Sequence, residues 1–282
     1  MRWIGRRQSG NVDDRRGISG GGLAVGGGVL GVIFILAKFL LGDGDVSDLS
    51  QLVPQQQQQP MSAEAQAAED SLAGFVKVVL ADTEDVWSKI FSENGRTYTK
   101  PTMVLFRDVT TSGCGTATAT SGPFYCPADQ DLYIDLSFAQ ELSDRFGATG
   151  DFALAYVVAH EVGHHVQDLM GLTDKMARLR QQVSETEYNK YSVRLELQAD
   201  FYAGLWAHYN QKMNNVIDPN DINEALTAAN AIGDDRLQRQ YQGTVTPDAF
   251  THGTSEQRMY WFKKGYETGD IRQGDTFAEG SY

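Results

Sequence analysis

The sequence predicts an α+β fold that is mainly helical, with a small edge sheet and one transmembrane helix in front of the folded domain. Three observations predict this class. Apolar residues recur at helical spacing from Asp151 onward, two short β-like runs lie at 103–106 and 132–138, and residues 23–41 are almost wholly apolar. A length of 282 residues with 41% hydrophobic and 22% charged residues fits one sizeable soluble domain with accessory segments.

The first 41 residues have the pattern of a membrane anchor. Residues 1–22 are basic, and residues 23–41 carry a single charged side chain, Lys38. At about 1.5 Å per residue, a helix of this length crosses a hydrocarbon core of about 30 Å. The positive-inside rule then places residues 1–22 in the cytoplasm and the rest of the chain outside it. A cleaved signal peptide is the alternative, but the run is long and no small-x-small cleavage site follows it.

Residues 43–69 are predicted to be a flexible tether. They hold a glutamine run between Pro54 and Pro60 and few large apolar side chains, so ordering them would bury too little surface to offset the lost chain entropy. The folded domain then spans 70–282. Its run at 132–138 alternates apolar and polar residues, which is typical of a strand with one buried face.

Charge and cysteines limit the partners and the compartment. The formal net charge is −13 although residues 1–42 are net positive, so the domain itself is strongly acidic and nucleic acid is not an expected partner. Cys114 and Cys126 lie in a loop-like stretch rich in glycine and threonine. They are predicted to form a disulfide in an oxidising compartment; two reduced thiols are the alternative elsewhere.

The segment 151–171 carries the strongest chemical signal. It is predicted to be one helix, and it contains His160, Glu161 and His164 in the pattern H-E-x-x-H. A spacing of four places both imidazoles on one face, one turn apart, where they can share a metal ion. Glu161 is offset from that face and suits a general base. Histidines without a metal are the alternative, but such groups are costly in the apolar half of a helix without partners.

A catalytic zinc site needs a third protein ligand and one open position for water. Positions 167 and 170 are not histidine, so the ligand must come from elsewhere in the chain. The segment 194–208 supplies Glu196 as the ligand and, one turn later, Asp200 to hydrogen-bond a ligand histidine. Asp200 as the ligand with Glu196 in support is a variant of this hypothesis, and a solvated helix face is the alternative to both.

At these motifs the chain resembles a known family, the bacterial neutral zinc metallopeptidases (YpfJ-like). The resemblance covers essentially the whole length and is carried by MRW, GCG…GPFYCPAD, YIDLSF, AHEVGHHVQ, ELQADFYAG, AIGDDRLQ and HGTSEQR. It implies a zincin-like domain with Zn²⁺ as cofactor, a peptide or protein substrate, and attachment to the membrane by the N-terminal helix. The expected location is the bacterial inner membrane, crossed once, with the catalytic domain on the periplasmic side.

The expected reaction is hydrolysis of a peptide bond. Zinc held by His160, His164 and Glu196 would lower the pKa of its bound water, and Glu161 would take the proton and pass it to the leaving amine. A strand edge such as 132–138 is expected to align an extended substrate through backbone pairing.

Two further positions are candidates near the site. His252 is predicted either to stabilise the tetrahedral oxyanion, as a catalytic residue, or to be a surface or capping histidine before a helix capped by Thr254 or Ser255. Asp234 and Asp235 are interpreted as a turn with a helix start, with support of the site as the alternative.

The main rival function is a membrane-anchored zinc-binding scaffold or interaction protein without catalysis. The presence of Glu161 argues against it, because a purely structural zinc site has no use for a general base.

Overall fold

The computed structural model describes residues 1–17 and 61–278. The strands within them are β1 (Val12–Asp14), β2 (Thr102–Phe106), β3 (Val109–Ser112), β4 (Gly115–Thr118), β5 (Phe124–Cys126) and β6 (Asp131–Asp135). The α-helices within them are α1 (Ala63–Glu93), α2 (Phe138–Asp144), α3 (Asp151–Leu169), α4 (Leu172–Arg180), α5 (Glu185–Asn214), α6 (Asp221–Ala231), α7 (Asp234–Gln242) and α8 (Ser255–Thr268). The predicted mainly helical α+β class is confirmed.

The four-stranded sheet has the order β1-β2-β6-β5. β1, β2 and β6 run parallel, and β5 pairs antiparallel with β6. β6 is therefore an interior strand with neighbours on both sides, so the expectation that 132–138 offers a free edge was wrong. Residues beyond Asp135 leave the strand and lead into α2. The edge on that side belongs to β5.

Residues 1–17 are part of the same folded unit as the domain. β1 pairs with β2 in register from Val12↔Met103 to Asp14↔Leu105. Arg6 reaches across to Asp82, a buried carboxylate on α1 that also accepts a hydrogen bond from Asn210. A buried carboxylate requires such partners, which is why the basic segment packs against this helix.

The first residue is bound at the start of α3. The amino group of Met1 lies 2.9 Å from Oδ1 of Asp151 and 2.9 Å from Oδ1 of Asp221. Glu224, from α6, accepts a hydrogen bond from the main-chain N–H of Phe152 at 3.1 Å. Asp151, Asp221 and Glu224 lie close enough together for a metal, but the ammonium group and this amide already bind their oxygens.

The structure differs here from the expected division of the chain. Residues 1–22 were expected to lie apart from the domain, in the cytoplasm, whereas residues 1–17 contact the domain. β1 pairs with the edge of β2, and Arg6 of the N-terminal segment binds a buried carboxylate of α1. Residues 63–69, the end of the expected tether, begin α1 behind the cap Ser62. The expected transmembrane segment 23–41 and the rest of the tether lie outside the described residues. Within the described part of the chain, no helix is long and apolar enough to cross a bilayer.

The helices pack around α3 and α5, and α5 contacts α8 at unusually short range. A Cβ built on Gly204 of α5 would lie 1.9 Å from the carbonyl oxygen of Phe262, and one built on Gly265 of α8 would lie 2.1 Å from that of Phe201. Only glycine fits at both points. This close approach brings the first turns of α8 against the face of α5 that carries the site.

Candidate metal centre

Two histidines and one glutamate converge between α3 and α5. Nε2 of His160 lies 3.2 Å from Oε2 of Glu196, and Nε2 of His164 lies 3.5 Å from Oε1 of the same carboxylate. One ligand-type atom from each of the three residues lies within 4.8 Å of the others. The structure therefore brings together all three side chains that were predicted from the sequence to be metal ligands.

A small-residue contact lets the two helices come close enough for this convergence. A Cβ on Gly163, inside the H-E-x-x-H motif, would meet the backbone and side chain of Ala199 at 3.1–3.3 Å. Glu196 lies about one helical turn before Ala199 and so reaches over α3. A larger residue at either position would move the carboxylate away from the imidazoles.

The second nitrogen of each imidazole is fixed by a side-chain acceptor. Nδ1 of His160 lies 2.8 Å from Oδ1 of Asp200, and Nδ1 of His164 lies 2.9 Å from Oε1 of Gln167. Gln167 donates its own N–H to the carbonyl of Leu195 at 2.7 Å, which leaves its oxygen to accept. Asp200 was predicted in this role; Gln167 was missed, although its spacing of three from His164 placed it on the same helix face.

These hydrogen bonds determine which imidazole atoms face the space between His160, His164 and Glu196. When Nδ1 of a neutral imidazole donates its hydrogen, Nε2 carries a lone pair. The lone pairs of both Nε2 atoms then face the oxygens of Glu196, and such a group of acceptors is stable only around a cation. Two imidazole nitrogens and one carboxylate oxygen form the donor set of a catalytic zinc site with three protein ligands. The residues present therefore fit Zn²⁺.

The charges around this space favour a cation as well. Burial alone would lower the pKa of His160, but the charge of Asp200 and hydrogen bonds to Asp200 and Glu196 raise it to about 10. Burial would raise the pKa of Glu196, but His164 and His160 hold it well below its usual range. The cluster thus stabilises positive charge between the rings.

Asp200 is the centre of a buried polar network. Its carboxylate is fully buried and accepts hydrogen bonds from His160, from the hydroxyl of Tyr156, and from the guanidinium of Arg258. Burial would raise the pKa of Asp200, but Arg258 and His160 lower it to about 2. Sequence reasoning missed Tyr156 and Arg258. Tyr156 precedes His160 by one turn on α3, which was an available signal.

Glu161 lies beside the centre without joining the ligand set. It is 9% exposed, and burial raises its pKa, against the lowering effect of His164 and His160. The main-chain amide of Tyr125, in β5, lies close to this carboxylate and also lowers that pKa. A carboxylate with a pKa raised toward neutrality is suited to accept and return a proton.

His252 and Asp234 form a second pair near the centre. Nδ1 of His252 lies 3.2 Å from Oδ1 of Asp234, and Oδ2 of Asp234 accepts main-chain N–H bonds from Thr251, His252 and Gly253. The side-chain hydrogen bond between His252 and Asp234 raises the pKa of His252, as does the nearby charge of Glu196. Asp234 therefore holds the loop and the imidazole, and Thr254 caps α8 as predicted.

The two cysteines form the predicted disulfide. It links Cys114, in the turn between β3 and β4, to Cys126 at the end of β5, and within the described residues neither leaves a free thiol. His165 points away from the centre and bonds to Tyr125 and the carbonyl of Thr99.

Comparisons with known proteins agree with this geometry. Residues 1–277 match the family described as "Putative neutral zinc metallopeptidase". The chain is 48% identical over 287 aligned residues to the uncharacterized protein YpfJ of Escherichia coli (strain K12), covering 99% of each chain. It is 45% identical over 191 residues to the uncharacterized protein Rv2575 of Mycobacterium tuberculosis (strain H37Rv), covering 64% of each. No solved structure matches. The chain belongs to this family of neutral zinc metallopeptidases, and its cofactor is accordingly Zn²⁺.

Proposed function

We propose that this protein is a peptidase that hydrolyses peptide bonds, with His160, His164 and Glu196 holding zinc and Glu161 acting as general base. The observation that carries the proposal is the convergence of two Nε2 atoms on the half-buried carboxylate of Glu196, with the buried carboxylate of Glu161 beside them. A structural zinc site has four protein ligands, whereas within the described residues this cluster offers three.

The side chains divide the chemistry between them. Bound zinc supplies a Lewis acid that polarises a carbonyl and makes water easier to deprotonate. Glu161 accepts the proton of the attacking water and passes it to the leaving amine, for which its raised pKa is suited. Protonated His252, held by Asp234, donates to the oxygen on which negative charge develops.

β5 is the strand best placed to align a substrate. Among the strands of residues 1–17 and 61–278 it pairs with β6 alone, and the main-chain amide of its Tyr125 lies close to Glu161. An extended peptide that adds to the free side of β5 would therefore present its backbone next to the general base. The disulfide at Cys126 holds the end of this strand.

The proposal also includes attachment to the bacterial inner membrane through residues 23–41, with the metal centre on the periplasmic side. The disulfide supports that side, because disulfides persist in oxidising compartments. The pairing of β1 with β2 adds a condition: residues 1–17 belong on the same side as the domain. We therefore place residues 1–17 in the periplasm too, which requires that residues 23–41 attach the chain to the membrane without carrying their two ends to opposite sides.

Metal analysis combined with a cleavage assay tests the enzymatic proposal. The purified full chain should contain about one zinc per chain and cleave a casein-type substrate; a chelator should stop cleavage and added zinc should restore it. The rival, a zinc-binding scaffold, predicts zinc without cleavage under all of these conditions. A chain that binds no zinc after supplementation would contradict both.

A further inference from the structure

Arg258 occupies a position that the proposed reaction does not by itself require. It lies in the first turns of α8, 2% exposed, where a long cationic side chain is costly unless it is paired. Its Nε donates to Oδ2 of Asp200 at 2.8 Å, and its Nη2 donates to Oδ1 at 3.0 Å. The two parallel bonds form a bidentate pair, which fixes the plane of the carboxylate as well as its location.

The remaining hydrogen-bonding capacity of Arg258 fixes the guanidinium itself. Nη2 also donates to the hydroxyl of Tyr156 at 3.2 Å, and Nη1 donates to the carbonyl of Ile232 at 3.3 Å. Arg258 is therefore held by α3 and by the end of α6 at the same time as it holds α5. It cannot rotate away from Asp200 without losing all of these bonds.

The two metal-binding histidines differ in what lies behind them. His164 is backed by the neutral amide of Gln167, whereas His160 is backed by the charged carboxylate of Asp200. A fully buried carboxylate needs a compensating cation, and Arg258 supplies it within the same network. The His160 branch therefore requires a compensating cation, and Arg258 provides it there.

We propose that Arg258 is a positioning residue for the metal centre: it holds the Asp200 carboxylate in the orientation that directs Nε2 of His160 toward Glu196. This inference rests on the proposed function, since it assigns a role toward the zinc that His160 holds. Nη2 of Arg258 also lies 3.5 Å from Nδ1 of His160, but that nitrogen gives its hydrogen to Oδ1 of Asp200 at 2.8 Å, so Arg258 acts through Asp200.

Zinc affinity, measured on the full chain by competition with a chromophoric chelator, tests the proposal without relying on catalysis. Arg258→Met keeps the length but removes the charge and the donors, and should weaken zinc binding about 10–100-fold. Arg258→Lys keeps the charge but loses the bidentate bond, so its zinc affinity should lie between those of Arg258→Met and wild type. Trp261→Phe, a buried change on the same helix, should lower Tm but leave zinc affinity within about threefold of wild type.

A double substitution shows whether Arg258 acts through Asp200. In an Asp200→Asn background, adding Arg258→Met should weaken zinc binding by less than about threefold, because the group it positions is already altered. Wild-type zinc affinity in Arg258→Met or Arg258→Lys would overturn the inference. So would a double variant whose loss of zinc affinity equals the product of the losses in the two single variants. If Arg258→Met does not fold, the Arg258→Lys affinity decides alone. A wild-type chain that binds no zinc would contradict the proposed function and this inference together; normal binding in the variants contradicts the inference only.

Discussion

His160 donates its Nδ1 hydrogen to Oδ1 of Asp200 over 2.8 Å, and this bond turns its Nε2 toward Glu196. The orientation is set by side chains that are themselves buried, so it is present in the chain before any substrate arrives. Glu161 takes no part in it, because its carboxylate instead meets the main chain of β5. Metal binding and proton transfer therefore depend on different residues and can be separated by substitution.

Glu161→Gln should leave zinc content near wild type and lower kcat by about 10²–10⁴-fold, since general acid–base catalysis contributes on that scale. The amide keeps the size of the side chain but cannot accept a proton at neutral pH. Steady-state cleavage assays and metal analysis of the same preparation measure the two effects. Glu256→Gln, an exposed change on α8, should alter neither. Normal cleavage by Glu161→Gln would show that another group is the base.

Much of the centre could be predicted from local sequence. His160, His164 and Asp200 follow from spacings of four, and helical periodicity fixes which side chains share a face. Glu196 was found because zinc needs a third ligand and one helix downstream carried a suitably spaced carboxylate. The disulfide followed from two cysteines in one loop-like stretch.

The parts that were missed depend on contacts between distant segments. Arg258 is 58 residues from Asp200 in sequence, and nothing in its own helix indicates that it faces a carboxylate. The pairing of β1 with β2 joins residues about 90 apart, and neither the basic charge nor the apolar run of the N-terminal region indicated that residues 1–17 pack against the domain. The edge strand was misassigned because alternation identifies a strand but does not reveal how many neighbours it has.

Removal of the disulfide should destabilise the protein by about 3 kcal/mol, the loop-entropy estimate for a bridge whose cysteines are 12 residues apart. The double variant Cys114→Ser, Cys126→Ala tests this by urea unfolding. We also expect kcat/KM to fall, because Cys126 adjoins Tyr125, whose amide contacts Glu161. Reductant should reproduce both effects in wild type and change nothing in the variant. Equal free energies of unfolding for the two proteins would contradict the prediction.

Residues 1–17 and the domain should be accessible from the same side of the membrane. Gly10→Cys lies in the N-terminal segment at an exposed position with open space for a side chain, and Glu256→Cys is exposed on α8. A membrane-impermeant thiol reagent added to cells with a permeabilised outer membrane should label both. Labelling of Glu256→Cys alone, with Gly10→Cys protected until lysis, would contradict the common compartment. Protection of both would instead contradict the periplasmic location.

In a plot of kcat/KM against pH, the decline at alkaline pH (the alkaline limb) should reflect deprotonation of His252, which Asp234 controls. The hydrogen bond to Asp234 raises the pKa of His252 above its ordinary value, so the protonated, donating form persists to higher pH than in a free imidazole. Activity that depends on this form is complete below that raised pKa and is lost as pH rises through it. Asp234→Asn keeps an oxygen for the main-chain amides but removes the charge, so the pKa of His252 should fall and the limb should move to lower pH.

A matched variant separates this effect from a general loss of structure. His252→Gln keeps a hydrogen-bond donor but cannot titrate, so its kcat/KM should be lower at neutral pH and should lack the limb that Asp234→Asn shifts. Both variants should keep wild-type zinc content, because neither residue belongs to the cluster of His160, His164 and Glu196. An alkaline limb at the same pH in all three proteins would show that a different group titrates there, and His252 would then be a loop residue stabilised by Asp234 without a part in the reaction.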